Sequence, residues 1–294
     1  MKPRHFSWSR RVGVLTAVAM LGVVVAAGSP AAARHRPPPT TTTTSSTSTS
    51  TSTTTTTTPT GSTTTTSAAT TTTTTTPTQG TAGGYDISWP QCGGSFPRNP
   101  AFGIVGVSDG RPYYDNPCLG SEYTWASAAS RGPALYMSTA DPGAQSTHWT
   151  TPGPKPCTGT SDDTGCAYNY GWNAADHAYN YAAAQIGSSP NLNWWLDVET
   201  ANTWSTNTGA NDADIAGMLD YFHNKSLTVG VYSTPSQWSQ ITSGENLSVP
   251  NWRPEASNAA QALSWCTPSY SITGGPVTVV QYLTNSAFSG DAAC

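Results

Sequence analysis

Beyond residue 83 the apolar and polar positions fall into short β-type runs that alternate with helix-type segments. The runs cover residues 85–89, 102–108, 134–138, 193–199, 228–233 and 277–283. The clearest helices are predicted over 172–186, Ala-rich and stopped by Gly187, and over 212–225, where Ile215, Met218, Leu219 and Phe222 recur at helical spacing. Weaker helical patterns cover 121–130 and 257–265. Strand and helix alternating through some 200 residues predict an α/β domain with a mainly parallel sheet, either open and doubly wound or closed into a barrel. Both architectures bind ligands at the carboxyl ends of their strands. Polar residues collect there: Asp86 within the first run, Asp109 just after the second, Asp197 and Glu199 ending the fourth, and Gln281 near the end of the last.

The pattern upstream is different. Residues 1–11 are basic, residues 12–28 are almost wholly apolar, and Ala31, Ala32 and Ala33 supply small residues for cleavage, so residues 1–33 read as a secretory signal peptide. An uncleaved anchor is the rival reading, because 17 apolar residues approach the minimum of about 17–20 for a spanning helix. Residues 34–82 are dominated by Thr, Ser and Pro, and from Pro37 onward they carry no charge and no large apolar side chain. Such a segment buries too little apolar surface to offset its own ordering entropy, and reads as a disordered stalk. The expectation is a chain exported to the extracellular space or the cell wall, free of the membrane after cleavage, whose folded part is residues 83–294.

Charge sharpens that division. The chain carries −4, but six of its twelve basic residues precede position 83 and all sixteen acidic residues follow it, leaving −10 on residues 83–294. An acidic surface without a basic, aromatic-interleaved cluster lacks the main electrostatic contribution to nucleic-acid binding, and that class is set aside. All six cysteines lie in the same segment, where export makes disulfides the default. Fifteen pairings are formally open. The nine-residue spacing of Cys157 and Cys166 favours a local clip, with Cys92–Cys118 and Cys266–Cys294 then following. No C-x-x-C, H-x-H or H-E-x-x-H is present, so neither a metal site nor a cofactor is expected, and the domain is expected to be a monomer.

The strongest chemical signal is Asn193-Trp194-Trp195-Leu196-Asp197-Val198-Glu199. On a strand Asp197 and Glu199 project to one face, Leu196 and Val198 to the other, with the two carboxyl groups about 6–7 Å apart. In a partly dry pocket such a pair does not ionise freely, and one member keeps its proton. An acid beside an anion is what cleavage of a glycosidic bond requires. Trp89, Trp195, Trp204 and Tyr136, at or near strand ends, are candidate platforms for sugar rings, whereas Trp125, Trp172 and Trp265 read as packing residues. A competing motif, Gly106-Val107-Ser108-Asp109-Gly110, matches G-x-S-x-G, with His177 or His223 to complete a triad. That elbow needs a helix directly after the serine, and Arg111-Pro112 followed by Asn116-Pro117 argue against one.

Six segments in order, Tyr85-Asp86-Ile87-Ser88-Trp89-Pro90-Gln91, residues 102–110 with Tyr114-Asp115, the Tyr136 strand, Leu196-Asp197-Val198-Glu199, Val229-Gly230-Val231-Tyr232-Ser233 with Trp238, and Gln281-Tyr282, resemble the strand motifs of the family 25 glycoside hydrolases. Residues 84–291 are spanned. The resemblance implies an irregular (β/α) TIM-like barrel and secreted muramidase activity on the β-1,4 bond between N-acetylmuramic acid and N-acetylglucosamine. It implies Glu199 as general acid, Asp197 supporting the substrate's N-acetyl group as internal nucleophile, Asp86 lining the pocket and Asp291 as the closing aspartate. Trp89, Asp109, Tyr136, Trp195, Tyr232 and Gln281 are the expected substrate contacts. The sequence departs from the family pattern at Gly106-Val107-Ser108, at Met137 after Tyr136, and at residues 249–254, a loose counterpart of the sixth strand. The expected partner is cell-wall polysaccharide; a non-catalytic wall-binding module on the same fold is the alternative, and a Ser108 hydrolase the third reading.

Overall fold

The computed structural model describes residues 83–284, 286 and 288–294; the expected signal peptide and stalk lie outside the described residues. Eight strands close into a barrel in chain order: β1 (Gly83–Ile87), β2 (Gly103–Gly106), β3 (Pro133–Ser138), β4 (Trp194–Asp197), β5 (Val229–Tyr232), β6 (Asn251–Ala256), β7 (Val277–Tyr282) and β8 (Gly290–Ala293). Neighbours from β1 to β7 run parallel, and β8 closes the ring antiparallel to both β7 and β1. Helices α1 (Leu119–Ser127), α2 (Thr164–Ile186), α3 (Thr208–Asn224), α4 (Pro235–Thr242) and α5 (Ala259–Ser264) fill the connections. The closed barrel settles the choice left open by the strand–helix alternation.

Alternation along each strand sorts side chains into two layers. Ile87, Val105, Leu135, Met137, Trp194, Leu196, Val229 and Val231 face outward and pack, with helix residues such as Ile215, Met218 and Phe222, into the main core. The inward set, Phe102, Ile104, Trp195, Trp252 and Val279, fills the barrel, with Tyr136 and Tyr232 against it. Large rings fit because glycines face them: a Cβ on Gly230 would lie 2.5 Å from Trp195, and one on Gly106 2.7 Å from Tyr136.

Local signals set the helix ends. Asp163 accepts the Cys166 N–H to cap α2, which therefore starts eight residues before the predicted Trp172, and Gly187 stops it at φ 71° in the left-handed region. Asn207 caps α3. All three favoured disulfides form: Cys92–Cys118, Cys157–Cys166 and Cys266–Cys294. They tie the loop after β1 to α1, the β3–α2 loop to α2's first turn, and the C-terminus to the end of α5.

Helices α2 and α3 approach at glycines. A Cβ on Gly217 would lie 2.1 Å from the Tyr168 carbonyl oxygen, and one on Gly171 2.0 Å from that of Asp214. Neither backbone oxygen can move without separating the helices. Gly217→Ala is therefore expected to cost about 1–3 kcal/mol, the range for overpacking a filled core. Thermal denaturation should show a Tm several degrees below the parent; an unchanged Tm would mean the two helices part freely.

Candidate active site

Four carboxyl groups converge at the carboxyl end of the barrel. Asp86, on β1, and Asp197, the last residue of β4, point inward, and Glu199 follows two residues past the strand. With Tyr136, Tyr232, Trp252 and Gln281 they line a cavity of about 160 Å³. Asp291, on β8, is fully buried beside it, in register with Gly84 of β1 and Gln281 of β7.

A chain of hydrogen bonds orders one wall. The Tyr232 hydroxyl donates to Gln281 Oε1 (3.0 Å), Gln281 Nε2 donates to Asp86 Oδ2 (2.9 Å), and Trp252 Nε1 donates to Asp291 Oδ1 (2.8 Å). Asp291 Oδ2 is buried with no hydrogen-bond partner among the described residues, and the Asp291 carboxyl interacts with that of Asp86. Burial, opposed by the Gln281 hydrogen bond, raises Asp86 to about 6. Burial and then the Asp86 charge push Asp291 well above the usual carboxylate range. Burial and mutual repulsion therefore disfavour ionising both members of the Asp86–Asp291 pair.

The opposite wall holds the second pair. The Val198 N–H still bonds the Tyr232 carbonyl, and Glu199, two residues past Asp197, lines the same cavity and interacts with it directly. Burial and then Glu199 raise Asp197 well above its ordinary value; burial also raises Glu199, against hydrogen bonds from Gln237 and Asp197. The backbone around Glu199 is held firmly. Its carbonyl accepts Trp204 Nε1 (2.8 Å) and the Asn202 N–H (3.2 Å), while Thr139 Oγ1 donates to the Asp197 carbonyl (2.7 Å).

The remaining expected contacts divide. Tyr136, Tyr232 and Gln281 line the cavity. Trp195 does not: it is 5% exposed in the barrel interior, 5.8 Å from the Trp252 ring, because Gly230 leaves it room there. Trp89 lies in the turn after β1 with 44% of its surface exposed, outside the cavity lining, and so does Asp109, whose N–H donates to the Tyr114 carbonyl in the β2–α1 loop. Trp252 was hidden in the weak 249–254 segment; its in-facing position on β6 is what brings it to the site. Ser108 is no elbow nucleophile. It is buried and accepts the Ser138 N–H (2.8 Å), and turns rather than a helix follow it until Leu119. His177 pairs with Asp115 at 2.8 Å, and His223 ends α3, at the other end of the barrel.

A family model described as lysozyme-like protein 1 matches residues 167–258, from α2 past β6. The chain resembles the family 25 glycoside hydrolases. Three solved structures show similarity at low identity. The catalytic domain of endolysin ply40 from bacteriophage P40 of Listeria monocytogenes is 16% identical, with 72% of this chain and 93% of that one covered and a TM-score of 0.46. A family 25 glycosyl hydrolase from Bacillus anthracis is 13% identical, covering 72% and 88%, with a TM-score of 0.45. The modular autolysin LytC from Streptococcus pneumoniae is 14% identical, covering 72% and 46%, with a TM-score of 0.43. No curated protein matches the sequence.

Proposed function

We propose that the chain is a lysozyme-like peptidoglycan hydrolase acting outside the cell on wall polysaccharide, with Glu199 as general acid and Asp197 as its partner. The observation that carries this reading is the convergence of Asp86, Asp197 and Glu199 with Tyr136, Tyr232 and Trp252 in one pocket at the barrel mouth.

The spacing of the carboxyls favours a particular chemistry. Hydrolases with a protein nucleophile hold their carboxyl groups about 5–5.5 Å apart, and inverting enzymes about 6.5–9.5 Å apart, across the scissile bond. Asp197 and Glu199 lie two residues apart on one wall and interact directly, so they are not placed as a pair across a scissile bond. The substrate's own N-acetyl oxygen then attacks the anomeric carbon. In the free site burial and mutual repulsion disfavour ionising both, so the pair holds a proton between them. An N-acetyl N–H presented to Asp197 makes that carboxyl the acceptor and leaves the proton on Glu199, which delivers it to the leaving glycosidic oxygen. Water then opens the cyclic intermediate, with Glu199 as base. Asp86, held by Gln281 and Asp291, shapes the same wall.

Purified protein incubated with purified peptidoglycan should release new reducing ends, at N-acetylmuramic acid. Tight co-sedimentation with the polymer and no new reducing ends would replace this reading with that of a binding module.

A further inference from the structure

A second, larger cleft opens on the same end of the barrel. It encloses about 790 Å³ between the loops that follow β2, β3 and β4. Among the described residues its lining holds Arg111 and His148 and no carboxylate, in a domain with six basic and sixteen acidic residues. Asp141, between the lining residues Ala140 and Pro142, is buried at 1% exposure, and its Oδ1 accepts the Gly143 N–H. The carboxyl pocket beside it has the opposite make-up, three carboxyls and no base. The two adjoin through a tight turn: Glu199 lines one, Asn202 and Thr203 line the other, and the Asn202 N–H donates to the Glu199 carbonyl. Such a turn places its end residues within about 7 Å.

The cleft is built to aim its nitrogen donors. The Arg111 guanidinium lies over the Tyr114 ring at 4.5 Å, and the His148 imidazole stacks on Tyr113 at 3.8 Å and 3°. One face of each ring is covered this way, and the covering groups present planar N–H donors to an arriving ligand. Tyr113 holds a positive φ of 64°, which a bulky residue adopts only when its surroundings enforce it. Its hydroxyl donates to the Tyr170 carbonyl (3.0 Å), and the loop is closed by the Ser108–Asp115 bridge. Arg111 is exposed, with no carboxylate within ion-pair distance among the described residues. An unpaired guanidinium presents a fork that matches a carboxylate in two parallel hydrogen bonds.

We propose that this cleft binds a carboxylate of the same polymer whose glycosidic bond lies in the carboxyl pocket, with Arg111 as the principal contact and His148 beside it. The proposal rests on the peptidoglycan reading. Two sources offer that chemistry: the stem peptide, and the lactyl carboxylate of a muramic acid without its peptide.

Binding to soluble wall fragments, measured by calorimetry, tests it independently of cleavage when the Glu199→Gln background is used. The probes are a disaccharide tetrapeptide, the same compound with its carboxyls converted to methylamides, and the disaccharide stripped of peptide. Adding Arg111→Gln should weaken the tetrapeptide about tenfold or more and leave the methylamide unchanged, with Arg111→Lys between. Loss on the tetrapeptide assigns the stem carboxylate; loss on the stripped disaccharide alone, whose lactyl carboxyl is free and not amide-linked, assigns the lactyl group. Equal affinities with and without Arg111, equal losses on the acid and the methylamide, or no binding of any probe would overturn the proposal. Reducing-end release by the parent is scored separately, so binding that depends on Arg111 without cleavage removes the hydrolase reading and keeps the anion site.

Discussion

Glu199→Gln is expected to lower turnover on peptidoglycan by about 10²–10⁴-fold, the usual contribution of a positioned general acid, with the fold intact. Glutamine keeps the shape and can still meet Gln237 and Asp197, but it has no proton to deliver. Loss of one ionisable group from the pair at this partly enclosed site should not lower Tm. Asp197→Asn is expected to lose activity of similar order for a different reason, since an amide is a poorer support for an N-acetyl group acquiring positive charge. Leaving-group dependence separates the two roles. On aryl glycosides of N-acetylated sugars, whose leaving groups depart without protonation, the Glu199→Gln deficit should shrink while the Asp197→Asn deficit persists. Deficits that stay equal on both substrates would remove the acid role from Glu199, and full activity of Glu199→Gln on peptidoglycan would remove the site itself.

That such a pair is legible at all follows from the way barrels use their strands. Asp86, Asp197 and Gln281 are polar residues at strand ends, and in a closed barrel those ends meet, so residues almost 200 positions apart are brought to one cavity. The strands with apolar, β-branched or aromatic runs, such as Gly230-Val231-Tyr232 and Val277 to Tyr282, announce themselves. Strand β6 does not, because Arg253 and Pro254 interrupt it and its pairing with β7 slips in register around them. Strand β8, Gly-Asp-Ala-Ala, has no strand propensity of its own and exists because two neighbours need closing. Helix α4 is eight residues long, and its Thr234-Pro235 start is the only strong local signal for it. Trp195 misleads for a related reason. Whether a strand-end ring faces a ligand or the interior depends on its cross-strand neighbour, here Gly230, and register is a property of the assembled sheet. The Arg111 cleft is assembled from three loops, whose sequences carry no periodicity to read.

Stability should fall as pH rises from about 4 towards neutrality, and Asp214→Asn should cancel part of that fall. Asp214 lies on α3 at 0% exposure, both carboxyl oxygens lack a hydrogen-bond partner among the described residues, and burial followed by the charge of Asp141 raises it well above the usual range. Asp141 is itself raised to about 6, chiefly by burial. In the unfolded chain both titrate near 3.9. Above that pH the unfolded state has released protons that the folded state still holds, so each unit of pH favours unfolding by about 1.4 kcal/mol per group until the folded group ionises too. For Asp141 that window closes at about 6; for Asp214 it extends further. The cap Asp163, lowered by its hydrogen bonds from Thr158 and Cys166, acts in the opposite sense from an exposed position. Acidification also relieves the repulsion of an acidic domain, but that relief is common to parent and variant. The difference between their Tm curves therefore isolates Asp214. Asparagine imitates the protonated acid, so the two should coincide near pH 4. The gap should then grow by roughly 3–5 °C per pH unit for a domain of this size, in favour of the variant. Parallel curves from pH 4 to 7.5 would show that Asp214 ionises as freely in the folded domain as in the unfolded chain.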